Sequence, residues 1–210
     1  MVSPLGLLTI IEFERYSLSN PFMLFLTQNM DIIKENIRIG MIHNDLAKAP
    51  RYSLPERFSL RFCQQGDQKA WVDIHKEADQ SNDIDLHKFE EVFSEHPLPL
   101  EERQLYLLNS DNEPIGTATA WEREREGSIR GLVHWVAIHP GYQGRGLAKP
   151  LLSATLSRLM ELGYEDAFLY SSTARMPAIN LYWKFGFRPL ITDRKEVETW
   201  GRVTSRLHLK

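Results

Sequence analysis

A chain of 210 residues with 42% hydrophobic content can bury one sizeable core, so a single domain is the default. A net charge of −3 with interspersed signs offers no basic field for nucleic acid. The lone cysteine, Cys63, excludes an internal disulfide and argues against a thiolate zinc site, and the seven histidines fall at no ligand spacing, so a reducing, cytoplasmic, metal-free setting is expected.

Spanning a membrane takes roughly 20 apolar residues, and no stretch supplies them. Leu5–Ile11 is apolar but short, meets Glu12 at once and follows no basic residue, so neither a membrane segment nor a signal peptide is expected. Residues 1–40 mix apolar runs with Asn, Gln and Ser without clear periodicity. They read as an N-terminal extension peripheral to a domain over 41–210, with Met41 a plausible start of its own. An extra helix packed on the domain is the alternative.

Ala49–Pro55 contains two prolines and reads as a linker. Arg57–Gln64, with Phe58, Leu60 and Phe62 alternating, predicts a first strand, and Cys63 fits it as a small buried apolar residue. Gly66 and Asp67 break that strand, Asp67 serving as N-cap for a helix over Gln68–Ala78 that turns Trp71, Ile74 and Ala78 inward. A second helix, Ile84–Ser94, presents Leu86, Phe89, Val92 and Phe93. Gln104–Leu108 and Ile115–Trp121 form a hairpin about the turn Ser110–Glu113. Glu122–Gly127 alternates acid and base and reads as a solvated turn without function.

Leu132–Ile138 is apolar except at His134, as expected of a central strand covered on both faces. His139-Pro140-Gly141 stops it. Leu151, Leu152, Leu156, Leu159 and Leu162 then form a helical stripe. Pro150 is tolerated only in the first turn, which places the helix start near Gly146.

A strand, a glycine turn and a helix N-terminus make an anion site, because the first helical N–H groups lack partners and the helix dipole favours negative charge. Three phosphate loops compete. A P-loop needs Gly-Lys before Ser or Thr, but Lys149 precedes Pro150. The dinucleotide fingerprint half-matches at Gly144 and Gly146, but Lys149 takes the third glycine position. Asp166, at the spacing of the acidic residue, precedes its strand instead of ending it.

Downstream come a strand at Ala167–Ser171, a loop at Ser172–Met176 and a helix at Pro177–Phe185 with Gly186 as its C-cap. Strands near Phe187–Thr192 and Val203–Leu209 are expected to finish the sheet.

The third loop reading fits. Gln143-Gly144-Arg145-Gly146-Leu147-Ala148 matches Q/R-x-x-G-x-G/A, and Arg175–Phe187 supplies a helix carrying Tyr182 and ending in Gly186-Phe187. Together and in this order, the two motifs resemble those of the GNAT N-acetyltransferase superfamily, over roughly Arg57 to the C-terminus and best over Gly116–Leu190. The resemblance implies an α/β (α+β) fold, a mixed, mostly antiparallel sheet of six or seven strands with helices on both faces. It also implies acetyl-CoA as co-substrate, no metal, and direct acetyl transfer to a primary amine of a small-molecule acceptor. The two early helices would lie over the acceptor end of the site.

By motif position the phosphates belong to Gln143, Gly144, Arg145, Gly146, Leu147, Ala148 and Lys149, with Arg145 and Lys149 readable equally as surface charges. Val136, Ala137 and Ile138 would offer main-chain groups freed by a bulge to the pantetheine arm and the acetyl oxygen. Tyr182 takes the general-acid position, or is a core aromatic beside Leu181 and Phe185. Arg175 stands where many members carry a coenzyme-binding Asn, and could pair with a phosphate instead. His134, placed by alternation on one face with Val136 and Ile138, is a candidate base kept neutral by burial, or a core histidine. Glu122 is its rival. A coenzyme-binding regulatory module, and an acyltransferase for longer chains or protein N-termini, stay open. A homodimer is left open, and neither nucleic acid nor membrane is expected as partner.

Overall fold

The computed structural model describes residues 31–79, 82–94 and 98–207. Residues 1–30, including Leu5–Ile11, lie outside them. In chain order the elements are α1 (Ile32–Glu35), β1 (Arg38–His43), β2 (Ser59–Phe62), α2 (Gln68–Ala78), α3 (Leu86–Ser94), α4 (Leu100–Arg103), β3 (Gln104–Leu108), β4 (Pro114–Arg125), β5 (Ser128–Ile138), α5 (Ala148–Glu161), β6 (Ala167–Ser172), α6 (Met176–Lys184), β7 (Arg188–Leu190) and α7 (Arg194–Thr204). Seven strands form one open mixed sheet in the order β2-β3-β4-β5-β6-β1-β7. β5 and β6 pair in parallel, whereas β2–β3, β3–β4, β4–β5 and β1–β7 are antiparallel. Among the described residues no helix is long and apolar enough to cross a membrane. By its contacts the chain divides into two compact units, His43–Leu169 and a second made of the residues up to Ile42 with Tyr170–Lys210.

In the first unit, cross-strand partners share a face of the sheet. Leu105 opposite Ala118, Leu107 opposite Gly116, and Gly116 opposite Ile138 define one face. On it Leu147 and Leu151, at the start of α5, close a buried cluster with Leu105, Leu107, Ile115, Ala118 and Ile138. The other face carries Tyr106, Thr117, Thr119, Trp121 and Leu132. It is covered by Trp71 of α2 with Phe89 and Phe93 of α3, whose rings meet edge to face. Beneath α2 a buried polar ladder satisfies itself: the Gln104 amide donates to Thr119 Oγ1 at 3.2 Å and the Tyr106 hydroxyl donates to Gln104 Oε1 at 3.0 Å.

Asp67 departs from its expected role. Its side chain makes no cap on α2; it binds the Arg61 guanidinium and accepts the Gln64 N–H at 2.7 Å, closing the loop between β2 and α2. Cys63 is buried and its thiol is pushed up to about 12 by burial, so it packs as a small apolar residue.

The second unit joins chain segments far apart in sequence. Gly40 pairs with Leu190 and Ile42 with Arg188. The Thr173 N–H donates to the Ile37 carbonyl at 2.9 Å, its hydroxyl donates to the Ile32 carbonyl at 2.6 Å, and that oxygen accepts the Ile37 N–H. Glu35 pairs with Arg202, and Asp31 with Arg206 at 3.0 Å. The boundary expected between residues 40 and 41 therefore falls inside β1, and Ile32 and Ile39 on its N-terminal side are buried.

Residues 208–209 of the strand expected at Val203–Leu209 lie outside the described residues, and the rest is corrected to a turn and, before it, the end of a helix, α7, which runs through Thr204. Asp193 caps it by accepting the Glu196 N–H at 2.9 Å, and Trp200 and Val203 recur at helical spacing on its buried side.

Candidate active site

The ladder between β4 and β5 contains one residue too many. Thr119 faces His134 and Thr117 faces Ala137, so two steps along β4 match three along β5. Trp135 takes φ +46°, a left-handed conformation that a bulky side chain adopts only against a steric cost of about 1–3 kcal/mol. The bulge expected near Val136 is thus present, centred on Trp135 and Val136.

This bulge corrects the placement of His134. Thr117 and Thr119 share a face, so their partners Ala137 and His134 do too, while Ile138 lies on the opposite face against α5. Simple alternation fails because the extra residue reverses it. His134 and Trp135 both turn toward α2 and α3: the Trp135 ring lies 5.0 Å from Trp71 and 5.1 Å from His75, and His134 lies 6.2 Å from Phe93. Val136 packs toward α5.

His134 is half-buried, and its imidazole makes no hydrogen bond among the described residues. Burial, reinforced by the charges of Arg123 and His75, pushes its pKa down to about 3, so it is neutral at physiological pH. Glu122 stands one register step past Trp121 on the face opposite His134, where it is held by Arg103 at 3.0 Å and by the Tyr164 hydroxyl. Its carboxylate is thus engaged on the side of the sheet away from His134.

The parallel pairing of β5 with β6 covers Gly131–Ala167 and Leu132–Phe168 and stops there, although β5 runs on to Ile138. From Val133 onward the edge of β5 away from β4 carries no ladder among the described residues. An extended ligand arm can use it as a further strand.

β5 ends in a turn at Pro140–Tyr142 and then the glycine loop. The Gln143 amide donates to the Ile138 carbonyl at 2.8 Å, tying the loop to the strand end. Gly144 and Gly146 have φ +75° and +79°, and a Cβ on either would meet nothing within 4 Å. Backbone conformation and open space both suit an anion approaching main-chain N–H groups. The N–H groups of Gly144, Arg145, Gly146, Leu147 and Ala148 donate to no group among the described residues. Leu147, buried against the core, anchors the turn.

Two side chains that the motif places at the phosphates are otherwise engaged. Arg145 donates to the Gly141 carbonyl at 2.9 Å and lies over the Tyr142 ring. The Lys149 ammonium lies 5.0 Å from the centre of the Tyr52 ring.

Tyr182 and Arg175 belong to the second unit. Helix α6 ends as a Schellman motif, with Phe187 N–H donating to the Tyr182 carbonyl and Gly186, at φ +98°, as the left-handed residue. The Tyr182 and Phe187 rings meet at 6.0 Å, the apolar contact that accompanies this motif. Tyr182 is buried, its hydroxyl makes no hydrogen bond among the described residues, and burial pushes its pKa up to about 12, with Arg175 opposing. It is a protonated phenol at any physiological pH. Arg175 precedes α6 and reaches Ser172 Oγ at 3.4 Å.

The sequence carries no sign of Trp135, since nothing in a run of apolar residues marks the one that bulges. It also passed over Arg123, whose place on the His134 face follows once β4 is known to extend through the charge run.

A bulged strand that parts from its parallel neighbour and runs into a glycine-lined helix N-terminus defines the GNAT class of fold. The chain matches the model of the acetyltransferase (GNAT) family over residues 44–187, and it belongs to that family. It is 27% identical to a mycothiol acetyltransferase of Arthrobacter sp. (strain FB24) over 74% of this chain and 50% of that one. It is 30% identical to a mycothiol acetyltransferase of Pseudarthrobacter chlorophenolicus over 67% of this chain and 46% of that one. The chain thus spans about half the length of the curated relatives it matches. Among solved structures, a GCN5-related N-acetyltransferase from Sphaerobacter thermophilus superposes with a TM-score of 0.61 at 20% identity, over 73% of this chain and 48% of that one. A NatC complex bound to Gag peptide and CoA gives 0.54 at 19% identity, over 64% of this chain and 87% of that one.

Proposed function

We propose that this protein transfers the acetyl group of acetyl-CoA directly to a primary amine of a small-molecule acceptor. The observation that carries the reading is the set of five adjoining main-chain N–H groups, Gly144 to Ala148, that donate to nothing among the described residues, one short turn after a strand whose edge beyond Leu132 carries no ladder among them. Such a row of donors at a helix N-terminus suits a diphosphate. The relatives named as mycothiol acetyltransferases support a small acceptor.

In this reading the loop Gln143–Lys149 holds the pyrophosphate, with Gly144 and Gly146 allowing close approach and Arg145 and Lys149 leaving their contacts with Gly141 and Tyr52 for the phosphates. Arg175 pairs with a further phosphate. Main-chain groups of Val136, Ala137 and Ile138 hold the pantetheine arm and polarise the thioester carbonyl. The neutral amine attacks the carbonyl carbon, the C–N bond forms and the C–S bond breaks. His134, neutral on the bulge, takes the proton lost by the amine, and the Tyr182 phenol gives one to the departing thiolate. No covalent enzyme intermediate is involved, since the one thiol, Cys63, is buried and protonated.

The test is thiol release from acetyl-CoA over a panel of primary amines, with the N-acetyl product identified by mass. Amine-dependent release supports the reading. Tight coenzyme binding without release from any amine would make the protein a coenzyme-binding module. Release from longer acyl donors in preference to acetyl-CoA would change the donor.

A further inference from the structure

The run Glu122–Glu126 looks like featureless surface charge in the sequence, but β4 carries it as ladder through Arg125, opposite Ser128 of β5. Strand alternation then sorts its signs. Glu122 and Glu124 fall on the side of Ala120 and α5. Arg123 and Arg125 fall on the side of Thr119, Trp121 and His134.

Arg125 is tied to Glu126 at 2.9 Å. Arg123 is different. It is half-buried, yet it has no ion pair and no hydrogen bond among the described residues. Arg61, Arg103, Arg130 and Arg202, comparably sheltered, each meet a carboxylate: Asp67, Glu122, Asp166 and Glu35. A guanidinium partly withdrawn from water without a counter-charge is costly, and its planar fork suits a two-oxygen anion.

The surroundings point the same way. Trp121 precedes Arg123, and Phe93 packs between Trp121, at 5.6 Å, and His134, at 6.2 Å. The charged or titratable groups felt at His134 are Arg123 and His75, with no carboxylate among them. Arg130, opposite Arg123 in the ladder, is met by Asp166 and Arg125 by Glu126, which leaves Arg123 as the arginine of this stretch without a counter-charge among the described residues. Arg123 lies four residues along β4 from Thr119, the partner of His134, a separation of about 13 Å between backbones across which the Arg123 charge is felt at the imidazole.

We propose that Arg123 binds an anionic group of the acceptor, a carboxylate or a phosphate, so that the amine acetylated beside His134 belongs to a small zwitterionic or acidic molecule. The proposal rests on the acetyl-transfer reading above, and makes Arg123 a binding residue that selects among amines.

The experiment compares matched probes on the full chain: phenylalanine against phenethylamine, O-phosphoethanolamine against ethanolamine, with spermidine as a polycation. Turnover is read by thiol release, and binding independently by quenching of tryptophan fluorescence. The wild type is expected to favour the anion-bearing member of at least one pair by tenfold or more in kcat/KM, and to use spermidine poorly. The pair that responds distinguishes carboxylate from phosphate. Arg123→Gln should collapse that preference by raising KM for the anion-bearing member, with less than a threefold effect on its partner, and Arg123→Lys should restore part of it. A variant that loses both members equally shows a structural role and overturns the proposal. So does a wild type that binds and acetylates the anion-free partners at least as well, which would leave acetyl transfer standing. Preferential binding of the anion-bearing probes without acetylation of any amine would instead overturn the acetyl-transfer reading alone.

Discussion

The Gln143 side-chain amide donates to the main-chain carbonyl of Ile138 at 2.8 Å. One hydrogen bond thus couples the end of the bulged strand to the first residue of the glycine loop, so the two parts expected to grip the coenzyme keep a fixed spacing. A neutral hydrogen bond of this kind is worth about 1 kcal/mol. Gln143→Leu is expected to raise KM for acetyl-CoA roughly fivefold, the factor equivalent to that energy, with kcat nearly unchanged. Steady-state kinetics at saturating amine would show it, and an unchanged KM would deny the tether a role.

Gly146 sits at φ +79° in open space, so a substituent there is resisted by backbone strain and not by a clash within the protein. Gly146→Val is expected to cost about 1–2 kcal/mol of stability. It should abolish coenzyme binding, because the new side chain stands where a phosphate would approach. Calorimetric titration with coenzyme A decides this, and normal affinity in a folded variant would overturn the placement of the phosphate loop.

Tyr182 packs through its ring on Phe187 while its hydroxyl has no hydrogen bond among the described residues. Tyr182→Phe keeps the packing and deletes only the hydroxyl. We expect kcat to fall by about tenfold or more, with coenzyme affinity within a factor of two. Since burial holds the phenol protonated up to about pH 12, its ionisation should put no alkaline limb on kcat below pH 10. Wild-type kcat in the variant would return Tyr182 to a packing role.

The imidazole of His134 has its pKa pushed down to about 3, against about 6.5 in the unfolded chain. Below pH 6.5 the unfolded chain takes up a proton that the folded protein refuses. Stability is therefore fully present above pH 6.5 and declines as the pH falls toward 3, by about 1.4 kcal/mol per unit or roughly 2 kcal/mol by pH 5. His134→Gln removes this contribution, so its denaturant midpoint should fall less steeply from pH 6.5 to 5 than that of the wild type. Parallel profiles would show that the imidazole titrates normally. If His134 is the base, the same variant also loses turnover at saturating amine.

A protein beginning at Met41 would lack Ile32 and Ile39, both buried, the Glu35–Arg202 and Asp31–Arg206 pairs, and the partners of Thr173. Losing two buried isoleucines alone costs several kcal/mol, so a drop in Tm of the order of 10 °C is expected for a chain of this size. Thermal unfolding of the truncated and full chains tests it, and equal midpoints would show that the first strand is dispensable.

The sheet and the loop were legible because their signals are local. Gly144, Gly146 and Pro150 each have a backbone reason to stand where they do, and α2 begins and ends as its apolar spacing requires. The bulge was not, because one extra residue in an apolar run leaves the pattern looking intact while it moves Ile138 to the face opposite His134. The C-terminal helix was legible in principle. Asp193 and Glu196 stand at cap spacing, and Val197, Trp200 and Val203 recur every three residues, but the expected strand count overrode them. The role of residues 38–43 depended on a partner at Arg188–Leu190, and no local signal reports so remote a pairing.

That pairing dictates an order of events during synthesis. Ile37 emerges from the ribosome 136 residues before Thr173, its hydrogen-bond partner. Everything from His43 to Leu169 can collapse into its own compact unit in the interval, while residues 38–42 wait for partners not yet made. Only when Arg188–Leu190 has been translated can that early strand take up its antiparallel partner, so the segment bearing Tyr182 is among the last to mature.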